Sequence, residues 1–296
     1  MPLSRRQFVA RTALAAAALP FATPLASAAA RRDDFRVLRR NVGAFTGRGG
    51  TIGYLDADAA LVAVDAQFPE SAQTFLDGLR DGSGRGLDLL VNTHHHGDHT
   101  AGNAVLAPVA AMHVAHESVP GLQRAAASRS GDLDPQHVAG ETFRSEWRMP
   151  VGDETVSLAY FGPAHTAGDA VVHFEEADVV HMGDLMFNRR QPYIDRGAGA
   201  SVANWMTVLE TVHGRHGDDT IFVFGHAGEG FDVVGTRADL LTFRDFLAAA
   251  RLAIVPRAAD GATAADIEGL MIPGFETWGP TPARVAEPII AEFAGG

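Results

Sequence analysis

The sequence predicts a layered α/β protein, on three observations. Short apolar, strand-like runs alternate with amphipathic helical stretches in two similar halves, the pattern of sheets covered by helices. Hydrophobic residues make up 46% of the 296 and charged residues only 20%, which supplies a large core and excludes a disordered or coiled-coil chain. No self-similarity recurs with a period of 20–50 residues, so a solenoid is excluded.

The elements follow in order. Strand-like alternation covers Val37 to Phe45, Thr51 to Leu55 and Ala60 to Asp65, with turns at Gly47-Arg48-Gly49-Gly50 and Asp56-Ala57-Asp58. Ser71 is placed to cap an amphipathic helix running to about Arg80, and Leu87 to Thr93 reads as a buried strand entering a histidine cluster. A helix over Thr100 to Leu106, a strand over Met112 to Ala115 and a helix from Glu117 come next. Residues 127–148 are polar and irregular, which predicts a mobile loop near the site. Strands resume at Thr155 to Phe161, Ala170 to Phe174 and Asp178 to Met182, the last two joined by a turn at Glu175-Glu176-Ala177. A helix over Ser201 to His213, a strand over Thr220 to Phe224 and helices from about Thr236 complete the map. Trp278 and Phe275, between C-terminal helices, are expected to pack onto the domain.

Composition removes several chemistries. All 24 basic residues are arginine, so Schiff-base and lysine-nucleophile mechanisms are excluded. Cysteine is absent, which removes disulfides, thiolate zinc sites, iron–sulfur clusters and cysteine nucleophiles. Any metal must therefore be held by histidine and carboxylate. A net charge of -12 without a basic run makes nucleic acid an unfavourable partner.

Ser4-Arg5-Arg6-Gln7-Phe8-Val9, an apolar run from Ala13 to Pro24 and then Ala26-Ser27-Ala28 resemble a twin-arginine export signal with a small-residue cleavage site. The run is too short and too alanine-rich to span a hydrocarbon core of about 30 Å, so no stable membrane anchor is expected. The resemblance implies a signal peptide over residues 1–30, a mature domain over 31–296, the twin-arginine export machinery as a partner, and a periplasmic or secreted product. Export of already folded chains suits a protein that takes up its metal before crossing.

The segment most informative about chemistry is Thr93-His94-His95-His96-Gly97-Asp98-His99 at the end of a predicted strand. Alternate residues of extended backbone share a face, so His94 and His96 project together, while the turn at Gly97 carries Asp98 and His99 to a second point nearby. Six residues can thus serve two metal ions roughly 3.5–4 Å apart. Three more polar residues follow strand ends, where layered α/β proteins gather their site groups: His165, Asp184 after Gly183, and His226 after Gly225. His95 alternates away, and His113, His116, His137, His173, His181, His213 and His216 match no ligand position. His173 and His181 lie in strands and are expected to be hydrogen-bonded sheet residues.

His94-x-His96-x-Asp98-His99 followed by His165, Asp184 and His226 in that order resembles the signature of the metallo-β-lactamase superfamily, over about two thirds of the chain. The resemblance implies a four-layer αββα sandwich with two zinc ions in a cleft at one edge. Position by position, it implies one zinc on His94, His96 and His165, the other on Asp98, His99 and His226, and Asp184 bridging both. It also implies hydrolysis by hydroxide formed on the metals, whose pull lowers the pKa of water from about 15.7 towards about 7, with Asp98 as the catalytic proton acceptor and shuttle. Asp65 and Asp169 stand where a carboxylate can orient a ligand imidazole.

Departures from the named branches narrow the chemistry. True metallo-β-lactamases generally carry Cys or Ser where this chain has Asp184, and a bridging Asp is typical of the glyoxalase II, lactonase and phosphodiesterase branches. Arg189 or Arg190 is positioned to replace the missing lysine toward a substrate carboxylate. Phe187 occupies the place of the lactonase tyrosine, leaving Tyr193 as the nearby phenol. The tail from Leu247 to Gly296 lacks the basic character of a glutathione site. The expectation is an exported dinuclear-zinc hydrolase acting on an ester, lactone, thioester or amide of a small molecule, β-lactams included. The alternatives are an oxidoreductase similar to persulfide dioxygenases, with one iron, and a non-catalytic metal-binding protein.

Overall fold

The computed structural model describes residues 34–79, 84–130 and 137–295. The expected export signal, the expected helix end at Arg80 and part of the expected loop over 127–148 lie outside these residues. The first sheet has seven strands: β1 (Phe35–Arg39), β2 (Val42–Phe45), β3 (Ile52–Asp56), β4 (Leu61–Val64), β5 (Leu89–Asn92), β6 (His113–His116) and β7 (Glu141–Phe143), side by side in that order. It is antiparallel from β1 to β4 and parallel from β4 to β7. The later chain supplies β8 (Glu146–Val151), β9 (Glu154–Ala159), β10 (Val171–Phe174), β11 (Val179–His181), β12 (Phe187–Asn188), β13 (Ile221–Val223), β14 (His226–Ala227) and β15 (Val234–Gly235). β12 and β14 form a parallel ribbon, and the other six make the second sheet in the order β15-β13-β11-β10-β9-β8.

Period-two alternation makes the layers. In β4, Val62 and Val64 enter the core between the sheets, while Leu61 and Ala63 face the opposite way. The outer face of the first sheet is covered by α1 (Pro69–Gly78), whose Phe75 packs with Phe45 and Tyr54, with α2 (Gly97–Thr100) and α3 (Asn103–Leu106) following in the chain and Leu106 of α3 in the same cluster. α4 (Val119–Ser130) follows β6. In the second sheet Val179 and Val223 point inward, and Val180 and Phe222 point out to α5 (Val202–Arg215) and α6 (Arg237–Ala259). α7 (Ala264–Ile267) and α8 (Ala283–Ala294) close that outer layer. The order is helix, sheet, sheet, helix, the αββα sandwich that the resemblance implies. Trp278 stacks on Phe246 at 4.4 Å between ring centroids, so the C-terminal aromatic residues pack into this outer core. Glu292 of α8 accepts from the Val202 and Ala203 amides, binding the C-terminal helix to the N-terminus of α5.

Four expectations are corrected. The strand over Val37 to Phe45 is a hairpin, because Arg40 and Asn41 take φ of 49° and 64° in a two-residue turn that asparagine favours. Ser71 does not cap its helix: α1 starts at Pro69, where a missing N–H costs nothing, and the Ser71 hydroxyl accepts from the Arg48 amide at 2.8 Å. The helix expected from Glu117 begins at Val119. The segment expected as a mobile loop contains β7 and the first half of β8, strands that border the two sheets. Exposed Glu146 and Arg148 alternate there with half-buried Trp147 and Met149, a charged edge strand whose polarity hides its period.

Candidate metal centre

The ends of β4, β5, β11 and β13 meet at one edge of the sandwich. Asp65, after β4, takes φ of 68° and is fully buried, and its carboxylate accepts from the Thr93 amide and hydroxyl, both at 2.8 Å. That pair of bonds holds the end of β5, from which His94 and His96 project. The chain then turns into α2, which carries Asp98 and His99. From the second sheet, Gly183 at φ 50° packs against Thr93 and starts the turn that presents Asp184. Gly225 lies so close to Asp184 Oδ1 that a Cβ at this position would collide with it. His226 opens β14 directly after Gly225, its ring stacked on Phe187 of β12.

Two groups of side chains result. One nitrogen each from His94, His96 and His165 gathers with an Asp184 oxygen, and Asp98, His99 and His226 gather beside them, with the ligand atoms in each group within 4.8 Å of one another. Asp184 divides its carboxylate between the groups. Oδ2 lies 3.8 Å from His94 Nε2 and 3.5 Å from His165 Nε2, while Oδ1 lies 3.0 Å from His99 Nε2 and 3.4 Å from His226 Nε2. Asp98 Oδ2 is 3.1 Å from His226 Nε2.

The outward nitrogens decide what faces inward. His165 Nδ1 donates to the Tyr193 carbonyl at 2.8 Å, and His99 Nδ1 donates to Asp65 Oδ2 at 2.7 Å. His96 Nε2 donates to Asp195 Oδ2 at 3.0 Å. The Thr93 hydroxyl spends its proton on Asp65, so at 3.0 Å it accepts from His94 Nδ1. With these protons placed outward, the remaining nitrogens of the neutral His94, His96 and His165 rings are bare lone pairs aimed inward. His96 Nδ1 then faces His94 Nε2 at 3.1 Å and His165 Nε2 at 2.9 Å, acceptor against acceptor. Asp184 Oδ1 is buried there without a hydrogen bond. Converging buried acceptors without donors fit a cation, and imidazole with carboxylate fits zinc or iron.

The titration shifts agree with that demand. Burial and neighbouring imidazoles hold His94 well below the usual histidine range, and burial takes His165 down to about 3. Burial also opposes charge on His99 and His226, but the carboxylates prevail: Asp184 and Asp65 hold His99 well above its usual range, and Asp184 and Asp98 push His226 up to about 9. Asp184 itself is held well below the usual carboxylate range, because His226 and His99 outweigh its burial. The first group repels protons and the second recruits positive charge, and a bound cation satisfies both.

A cavity of about 430 Å³ opens over the centre, lined in part by Asp98, Asp184, Phe187, Arg190, Tyr193 and Arg284. Arg190 makes no ion pair among the described residues. Arg284, at the start of α8, donates to the Pro192 carbonyl at 2.9 Å. Two expected roles are corrected. Arg189 does not line the cavity, because it lies over the Phe231 ring and 3.5 Å from Asp239. Asp169 does not hold an imidazole: both its oxygens accept from Thr166, closing the turn after His165, and burial raises it to about 6. His95, expected to face away, reaches Asp195 at 3.6 Å alongside His96. Asp195 escaped the sequence reading because its local signal is that of a turn former, and it does accept from the Ala198 amide. Arg284 escaped because nothing near it in sequence marks a site.

The sequence profile of the metallo-beta-lactamase superfamily matches residues 46–226. The alpha subunit of a 2,4-dinitroanisole O-demethylase from Nocardioides sp. (strain JS1661) is 29% identical over 136 residues, covering 45% of this chain and 40% of that one. The match thus spans well under half of that relative. Among solved structures, a metallo-beta-lactamase from Pontibacter korlensis aligns at TM-score 0.59 with 17% identity, covering 72% of this chain and 98% of its own. The DIM-1 metallo-beta-lactamase gives 0.58 with 19% identity over 73% of this chain and 97% of its own. A double mutant of the sec-alkyl sulfatase PisA1 gives 0.66 with 15% identity over 90% of this chain and 51% of its own. At these identities the structural likeness concerns the fold alone.

Proposed function

The chain belongs to the metallo-beta-lactamase superfamily, and from that premise we propose that it is an exported dinuclear-zinc hydrolase cleaving an ester, lactone, thioester or amide bond in an anionic small molecule. The observation that carries this reading is the convergence on Asp184 of imidazoles from both sides, with inward nitrogens set acceptor against acceptor among His94, His96 and His165. His94, His96 and His165 would hold one ion, Asp98, His99 and His226 the other, and Asp184 both. Zinc supplies an acidified water as nucleophile at neutral pH and a Lewis acid for the scissile carbonyl.

The protein's own groups supply the rest. Asp98 is the site carboxylate most open to the cavity, its side chain 33% exposed against 4% for Asp184, so it is the group able to take a proton from the attacking water and return it to the leaving group. His226 and His99 outweigh its burial and hold Asp98 below the usual carboxylate range, so it is ionised and ready to accept at neutral pH. Arg190 and Arg284, two cations on the wall of a cavity in an acidic protein, favour a substrate carrying carboxylate, sulfate or phosphate. Tyr193 stands over His96 with ring centroids 5.2 Å apart and offers a phenol at the rim. An aspartate at Asp184 supports a place beside the bridging-Asp branches rather than among true β-lactamases.

Export rests on the twin-arginine-like segment within residues 1–30, and the periplasm or cell exterior is the proposed location. No helix among the described residues is long and apolar enough to cross a membrane. Elemental analysis of the mature protein, with initial rates on matched anionic and neutral esters, lactones, thioesters and β-lactams, tests the reading. The expected result is at least two zinc per chain and chelator-sensitive hydrolysis that favours anionic substrates. One iron per chain with oxygen uptake on persulfide, or full metal loading without turnover anywhere on the panel, overturns it.

A further inference from the structure

At the far end of β11 from Asp184 stands a second histidine–carboxylate cluster that the proposed reaction does not use. His173 lies on β10 opposite Val180, Asp178 precedes β11 in a turn at φ 51°, and His216 is the residue on which α5 ends. One ligand atom from each lies within 4.8 Å of the other two. His173 was expected to be a hydrogen-bonded sheet residue, yet its Nε2 is buried without a hydrogen bond, 3.6 Å from Asp178 Oδ1. The His173 and His216 rings stand perpendicular with centroids 4.9 Å apart, so they do not stack.

We propose that His173, Asp178 and His216 form a further divalent-cation site, suited to zinc, that fastens the end of α5 to the second sheet. Ligand bonds of about 2.0–2.2 Å place tetrahedral donor atoms roughly 3.4 Å apart, close to the His173–Asp178 separation. The carboxylate is already oriented: the Thr220 hydroxyl donates to Asp178 Oδ1 at 2.9 Å, as partners of metal-binding carboxylates do. Nearby cations are engaged elsewhere. Arg39 donates to the Ala177 and Asp219 carbonyls and approaches only the other oxygen of Asp178, at 3.7 Å. Arg215 lies over the Phe161 ring. Asp178 and His173 keep an open side, 37% and 24% exposed, where water completes the shell. Asp178 and Asp184 lie beyond opposite ends of β11, whose three residues alone span about 10 Å, so this site stands apart from the hydrolytic centre and does not depend on that reading.

Wild type and the double variant His173→Gln/His216→Gln, stripped with chelator, reloaded with zinc and dialysed, separate the outcomes by elemental analysis. The expected result is one zinc per chain fewer in the variant with hydrolysis retained, whatever number the other centre holds. Zinc is also expected to raise the melting temperature of wild type more than that of the variant. Should the double variant fold poorly, Asp178→Asn, which keeps shape and removes charge, is expected to weaken zinc at this site at least tenfold in a chelator competition. Equal zinc content in the folded double variant, unchanged affinity in Asp178→Asn, or wild-type binding here weaker than millimolar overturns the proposal.

Discussion

The two sheets build the candidate centre in different ways. The first delivers His94, His96, Asp98 and His99 from one strand end and the helical turn after it, with Asp65 bonded to that strand end and to His99. The second delivers His165, Asp184 and His226 from three separate segments, and each reaches the centre only because the sheets pack face to face over a shared core. One contribution is local and the other is tertiary. The local half is set by strand pleat and a glycine turn, whereas the tertiary half needs close approach, which Gly183 and Gly225 permit.

Asp184 is where the comparison breaks most sharply, since it alone faces both groups. Asp184→Asn keeps the shape, removes the charge that holds His99 and His226 positive, and introduces N–H donors among groups arranged around a cation. The expected loss in kcat/KM is about 10³-fold or more, on the order of 4 kcal/mol, with metal content falling in parallel. Near wild-type metal content and turnover in this variant would show that the two groups work independently.

A smaller effect separates the carboxylates behind the histidines. Asp65 is fully buried and satisfies Thr93 and His99 within the first sheet, whereas Asp195 reaches His96 from the chain following β12 and is 14% exposed at its side chain. Both Asn variants should weaken metal binding, by about 10–100-fold, Asp65→Asn the more because it also disturbs Thr93 and so His94. Chelator competition, read beside melting temperature, ranks the two. A larger loss in Asp195→Asn would make the contact to His96 across the sheets the controlling one.

The same division explains what was legible in sequence. The strand-end histidines were readable because pleat and turn are local, and His165, Asp184 and His226 because each follows an apolar run. Asp195 and Arg284 were not, since their meaning lies in what the folded chain brings opposite them. The hairpin at Arg40-Asn41 was hidden by unbroken alternation on either side, and β8 by an edge position that tolerates Glu146 and Arg148. His173 was misread for a related reason: lying in a strand says nothing about whether the ring finds a partner at the sheet's end.

The smallest expected effect concerns acid and the floor beneath the local half. His113 on β6 donates to Asn92 Oδ1 at 2.8 Å, and Asn92 is paired with Asn103, directly below the strand end that carries His94. Burial, with a lesser contribution from His137, lowers His113 to about 4. The folded ring therefore stays neutral where the unfolded one, near 6.5, already binds a proton, so its contribution is whole above pH 6.5 and is lost as pH falls from 6.5 towards 4. In metal-free protein His113→Gln should narrow the stability difference between pH 7 and pH 5 by about 1–2 kcal/mol, measured by urea unfolding at both pH values. Histidines common to both proteins cancel in that difference. An unchanged difference would mean that water reaches His113 in the folded state and that the polar floor under the metal-binding strand is open rather than sealed.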